Sequence, residues 1–156
     1  MADLRDLYQE TILDHSRSPK NFGELPAATH HAEGYNPLCG DRINVYLVVD
    51  GDVVRDIRFQ GVGCAISTAS ASLMTEALKG KTRAEAMALF RRLHEAVTGQ
   101  SVEASGNGAA ADAELGKLAV LEGVREYPLR VKCATLAWHT LRNALLRKED
   151  EVAVTE

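Results

Sequence analysis

The sequence predicts an α+β fold, in which a small antiparallel sheet of about three strands carries helices on one side. Two β-branched runs, Ile43 to Val49 and Val53 to Phe59, are joined by Asp50-Gly51, the short-range signature of a hairpin. The composition then changes, from Ala65 onward, to small, helix-compatible residues. Strands and helices do not alternate along the chain, which argues against a parallel doubly wound sheet. With 156 residues, 46% of them hydrophobic, the chain fits one domain with a core that needs no disulfide staples.

In the first element, Leu4, Leu7, Tyr8 and Ile12 recur at helical spacing between Asp3 and Ser16. The breaker-rich run Ser18-Pro19-Lys20-Asn21-Phe22-Gly23 ends it. Roughly His31 to Tyr35 supplies a third strand ahead of the hairpin. A second helix runs from Ala65 through Leu78 and is closed by Gly80. Thr82 and Glu85 have the spacing of a capping box, and Met87, Phe90, Leu93 and Val97 then line one face of a third helix. Residues 99–111 are polar, glycine-bearing and without period, and read as a mobile loop. Asp112 is placed to cap a short helix carrying Leu115, Leu118 and Ala119, ended by Gly123. The last helix is expected to open near Cys133, after Pro128, and to carry Ala137, Trp138, Leu141 and Leu145 to about Arg147. The domain is thus 1–147, and the acidic, weakly apolar tail 148–156 is expected to fray.

Composition excludes several function classes. The 18 basic residues are scattered among 22 acidic ones for a net charge of −4, so there is no electrostatic footprint for nucleic acid or anionic lipid. No apolar run approaches the ~20 residues of a membrane helix. An odd cysteine count, spread from Cys39 to Cys133 with no apolar signal segment at the N-terminus, points to reduced thiols in a cytoplasm. The expected partners are proteins or metals.

The chemistry lies in three cysteines. Cys39 sits in Asn36-Pro37-Leu38-Cys39-Gly40-Asp41, Cys64 in Gly61-Val62-Gly63-Cys64-Ala65-Ile66-Ser67, and Cys133 in Arg130-Val131-Lys132-Cys133-Ala134-Thr135. If 39–41 is extended, Cys39 and Asp41 project to the same side with a glycine between them, a geometry suited to a shared metal. Cys64 and Cys133 each fall where a helix is expected to begin, and a helix N-terminus lowers a thiol below its free pKa of ~8.5. Free cysteine is often buried as a small hydrophobe. Three of them at element boundaries, beside glycines or charged residues, are poorly placed for that. Three thiolates and a carboxylate match a tetrahedral Zn²⁺ site in number and type and leave it anionic. That charge favours cationic neighbours. Arg130 is a candidate for contact with the site or with a partner, and Lys132 reads as a solvated neighbour. His30, His31, His94 and His139 have no ligand spacing with the cysteines, and no cysteine has a histidine base with an orienting acid, which excludes a cysteine hydrolase.

The three cysteine runs, together with Leu7-Tyr8-Gln9-Glu10-Thr11-Ile12-Leu13-Asp14-His15 and Ser18-Pro19-Lys20-Asn21-Phe22-Gly23, resemble the motifs of the U-type iron–sulfur cluster assembly proteins over nearly the whole chain. The resemblance implies a SufE/IscU-like fold. The IscU-like scaffold branch carries a histidine immediately before its third cysteine, where this chain has Lys132. The stretch from Cys64 to Cys133 is also longer than in that branch. Both features resemble the SufU branch of zinc-dependent sulfur acceptors. By that resemblance the partner is a SufS-type cysteine desulfurase, which carries the pyridoxal phosphate, and Cys39 is the sulfur acceptor. Asp41, Cys64 and Cys133 join Cys39 as zinc ligands. A partner histidine takes the place of Cys39 on the metal, and a SufBCD-type scaffold lies downstream. Two competing readings use the same cysteines: a scaffold for a [2Fe–2S] cluster, and a purely structural zinc site.

Overall fold

The computed structural model describes residues 4–37, 40–98, 118, 120, 121, 124, 127–146 and 152–154. The hairpin forms as its turn chemistry requires. Strand β2 (Asp41–Asp50) and strand β3 (Val53–Val62) pair antiparallel from Arg42↔Val62 to Asp50↔Val53, and Gly51 takes the left-handed conformation at φ 63°. Strand β1 (His30–Asn36) pairs antiparallel with β2, from His30↔Leu47 to Asn36↔Asp41. Burial alternates along β1 and β2 with the period of two that one covered face demands. Ile43, Val45, Leu47, Ile57 and Phe59 point into the core. The opposite face carries polar contacts, among them His31 stacked on Tyr46 and donor–acceptor pairs from His31 to Asn44 and Gln60 to Tyr46.

Among the described residues four helices follow the expected order: α1 (Leu4–Arg17), α2 (Ala65–Leu78), α3 (Arg83–Thr98) and α4 (Pro128–Leu145). Helix α2 is buried nearly all round, and its small residues let α4 approach closely. Trp138 on α4 is fully buried; its indole Nε1 donates to Ser70 Oγ at 3.2 Å, and that hydroxyl donates to Ala134 O at 2.6 Å. An indole N–H buried without such a partner would be costly. Helix α1 is fastened to the outside of α2 by polar contacts, with His15 Nδ1 2.7 Å from Ser72 Oγ and Lys20 N donating to the same oxygen at 2.8 Å. The capping box at Thr82 and Glu85 is formed in both directions, at 3.0 and 3.1 Å. Burial, assisted by the charges of Arg142 and His94, pushes His139 down to about 4, so this histidine is neutral beside Phe90.

Two elements differ from the sequence expectation. Helix α4 begins at Pro128, a full turn before Cys133, because proline's fixed φ and missing N–H suit the first helical position. Cys133 therefore lies in the second turn, and the argument that a helix N-terminus activates it does not apply. In the tail expected to fray, Val152–Val154 instead forms a short strand, β4, pairing parallel with Glu33–Tyr35. The open edge of β1 offers unpaired backbone groups, and Val-Ala-Val has the composition to take them. The sheet order is β3-β2-β1-β4. The 99–111 loop, Asp112, Leu115, Ala119, Gly123 and Arg147 lie outside the described residues, while Leu118, Leu121 and Val124 are core residues.

Candidate metal centre

Three elements converge at one end of the sheet: the start of β2, the first turn of α2 and the second turn of α4. They bring together Asp41, Cys64 and Cys133, whose ligand atoms all lie within 4.8 Å of one another. Among the described residues this is the group of metal-ligating side chains that the fold assembles, and no histidine belongs to it. Asp41 and Cys133 are 1% and 0% exposed, whereas Cys64 is half-buried and gives the site its opening. Cys39 lies outside the described residues. By sequence it belongs to the connection 37–40 between Asn36 and Asp41. Gly40 has φ 71° and its N–H donates to Asn36 O at 2.8 Å. The geometry relating Cys39 to Asp41 lies outside the described residues as well.

Each ligand is held by its backbone surroundings. Cys64 is the N-cap of α2, in extended conformation, and its sulfur accepts the Ser67 N–H at 3.4 Å. A sulfur thus fills the role a serine oxygen usually takes. The Cys64 N–H donates to Asp41 Oδ1 at 3.0 Å, which locks the carboxylate against the helix start. Asn36 Nδ2 donates to Asp41 Oδ2 at 3.5 Å and to Cys133 Sγ at 3.7 Å. Gly63 is required for this approach, because a Cβ there would fall on Ser67 Oγ and crowd Asp41 Oδ1.

The electrostatics favour thiolate. The Cys64 thiol is lowered to about 5, chiefly by its hydrogen bond with Cys133; burial and the Asp41 charge oppose the shift, and Ser67 supports it. Arg130, in the first turn of α4 and three residues before Cys133, is exposed, and its guanidinium is held above its usual range first by the Cys64 charge. The charge of Cys133 acts on it in the same direction, so Arg130 feels the site electrostatically. Lys132 is half-buried on the neighbouring flank of α4; its ammonium has donors and no lone pair for a metal. Asn36 and Ser67 stand inside the motifs but carry no ligand chemistry by type. The signal for Asn36 was the hairpin register that sets it opposite Asp41.

The donor set fits a thiophilic metal. Two sulfurs and a carboxylate oxygen within 4.8 Å of one another, a depressed thiol pKa and a glycine that keeps the space open are what such a centre needs.

Fold and site together define a small α+β domain that gathers thiolates and one carboxylate where a hairpin meets two helices. Residues 7–134 match the family described as the NifU-like N terminal domain, and the chain belongs to that family. It is 38% identical over 148 residues to the zinc-dependent sulfurtransferase SufU of Bacillus subtilis, covering 95% of each chain. It is 39% identical over 156 residues to the iron–sulfur cluster assembly scaffold protein IscU of Streptococcus pyogenes, covering 100% of this chain and 93% of the relative. A crystal structure from Fervidobacterium islandicum, described as an assembly scaffold protein for the SUF system, superposes with a TM-score of 0.79 at 37% identity, covering 87% and 94% of the two chains. Relatives bearing both kinds of name are thus equally similar. No helix among the described residues is long and apolar enough to cross a membrane.

Proposed function

We propose that this protein is a zinc-dependent sulfurtransferase of iron–sulfur cluster assembly in the cytoplasm, which takes persulfide sulfur from a SufS-type cysteine desulfurase onto Cys39. The observation that carries the reading is Lys132, which stands where, by the resemblance, the IscU-like scaffold branch carries a histidine. Asp41, Cys64 and Cys133 would hold the metal together with Cys39. Zinc, when bound, supplies a Lewis acid that keeps thiols deprotonated at neutral pH. The two buried-end ligands are immobilised by the N-cap of α2 and by Asn36, and Arg130 offsets their negative charge. Cys39, by contrast, precedes β2 in sequence and follows Pro37-Leu38, outside the helices α2 and α4 that hold Cys64 and Cys133, which suits the group that must move. Its thiolate attacks the outer sulfur of the partner's persulfide. A new S–S bond forms on Cys39, the partner's S–S bond breaks, and the partner cysteine leaves as thiolate.

The alternative scaffold reading draws on the similarity to the Streptococcus relative and predicts a [2Fe–2S] cluster on the same residues. The two separate in one experiment: incubation with a SufS-type desulfurase and cysteine, followed by peptide mass analysis. An added sulfur atom on the Cys39 peptide, absent in Cys39→Ala, is expected. Full desulfurase stimulation by Cys39→Ala would overturn the acceptor assignment.

A further inference from the structure

We propose that Asn36 is a positioning residue of the metal centre, whose carboxamide holds the Asp41 carboxylate and the Cys133 sulfur together and tunes both as ligands. The proposal rests on the metal reading above and deepens it.

Asn36 is the last residue of β1 and 0% exposed, so its amide is buried and must be satisfied. Its Nδ2 carries two N–H donors and faces two acceptors, Asp41 Oδ2 at 3.5 Å and Cys133 Sγ at 3.7 Å. Those partners come from β2 and α4, remote in sequence, and each is a member of the converging ligand group. The main chain of Asn36 acts beside the same site, because its carbonyl accepts the N–H of Gly40, the residue before Asp41. One residue thus touches two members of the group directly through its side chain and the approach to Asp41 through its main chain. A nitrogen that only donates is complementary to a carboxylate oxygen and a sulfur, both of which accept. An N–H···S bond also withdraws charge from the sulfur, and the bond to Oδ2 fixes the rotation of the carboxylate. Partners of this kind around metal ligands typically contribute about 10–100-fold to affinity.

The test uses the full chain, with Zn²⁺ affinity read by competition against a chromophoric chelator and Co²⁺ as a spectroscopic substitute. Asn36→Leu keeps the approximate size and removes both donors; Asn36→Asp replaces the donor by an acceptor. Both are expected to bind Zn²⁺ about 10–100-fold more weakly than the parent protein. The thiolate-to-cobalt charge-transfer band is expected to move to lower energy, because a sulfur that has lost its N–H donor is richer in charge. A folding defect alone does not produce that shift. If the parent protein binds no zinc, the metal reading fails. If it binds zinc and both folded variants match it in affinity and spectrum, the role of Asn36 fails. Should the variants not fold, the unmutated protein loaded with ¹¹³Cd²⁺ carries the same test: a coupling between cadmium and the Asn36 side-chain protons, transmitted through Cys133 sulfur, is expected, and its absence overturns the proposal.

Discussion

Asp41→Ala is expected to destabilise the metal-free protein by roughly 2–4 kcal/mol, besides removing a metal ligand. The carboxylate is 1% exposed and accepts from the Cys64 backbone N–H and from Asn36. Truncation strands the Cys64 N–H and takes one of its acceptors from Asn36, and an unsatisfied buried donor costs about 1–3 kcal/mol. Relief of the repulsion between Asp41 and the Cys64 thiolate offsets part of that loss. For a chain of this length the melting temperature should fall by about 5–15 °C. Asp41→Asn separates the two roles. Its amide oxygen still accepts the Cys64 N–H, so metal-free stability should largely return, while a neutral amide is a poor zinc ligand and affinity should stay low. Thermal melts of the metal-free proteins check this. An Asp41→Ala melt that overlays the parent curve would show that the carboxylate does not organise the first turn of α2.

Gly34→Ala is expected to loosen the site from a distance. Gly34 lies on the buried face of β1 beneath α4, where a Cβ would fall on Thr140 Oγ1 and press on Leu136 and Ile43. Overpacking of this kind costs about 1–3 kcal/mol. The strain has a direction, since it pushes α4 off the sheet and carries Cys133 away from Asp41. Stability and metal affinity should therefore fall together. Because Thr140 Oγ1 is the nearest obstacle, Gly34→Ala with Thr140→Ala should recover more than the two single effects summed would allow. Additive losses in the double variant would point to a cause other than this contact.

Much of the architecture could be read before any coordinates, because its causes are local. Asp50-Gly51 specifies the hairpin, Thr82 and Glu85 specify the start of α3, and the step from Gly63 to Ala65 places Cys64 at a helix cap. What remained hidden depends on contacts between distant segments. Asn36 gains its partners only when the β1–β2 register and the approach of α4 are known. The start of α4 follows from Pro128, whose fixed φ and missing N–H fit the first turn, rather than from Cys133 five residues on. Gly40 permits both an extended and a left-handed backbone, so residue type alone could not show that Gly40 takes the left-handed one. The short parallel strand at 152–154 is a response to an open sheet edge, which no property of the tail itself announces. The convergence of Asp41, Cys64 and Cys133 was legible as a motif set, whereas Cys39 lies outside the described residues and its acceptor role rests on the proposal.

The central claim is that this donor set works as a zinc centre for sulfur acceptance, and it is tested most directly by desulfurase turnover with zinc quantified in the same samples. Zinc-loaded protein is expected to stimulate a SufS-type desulfurase severalfold and zinc-stripped protein not at all, with stimulation returning when zinc is restored. Full stimulation by protein shown to be zinc-free would contradict the account.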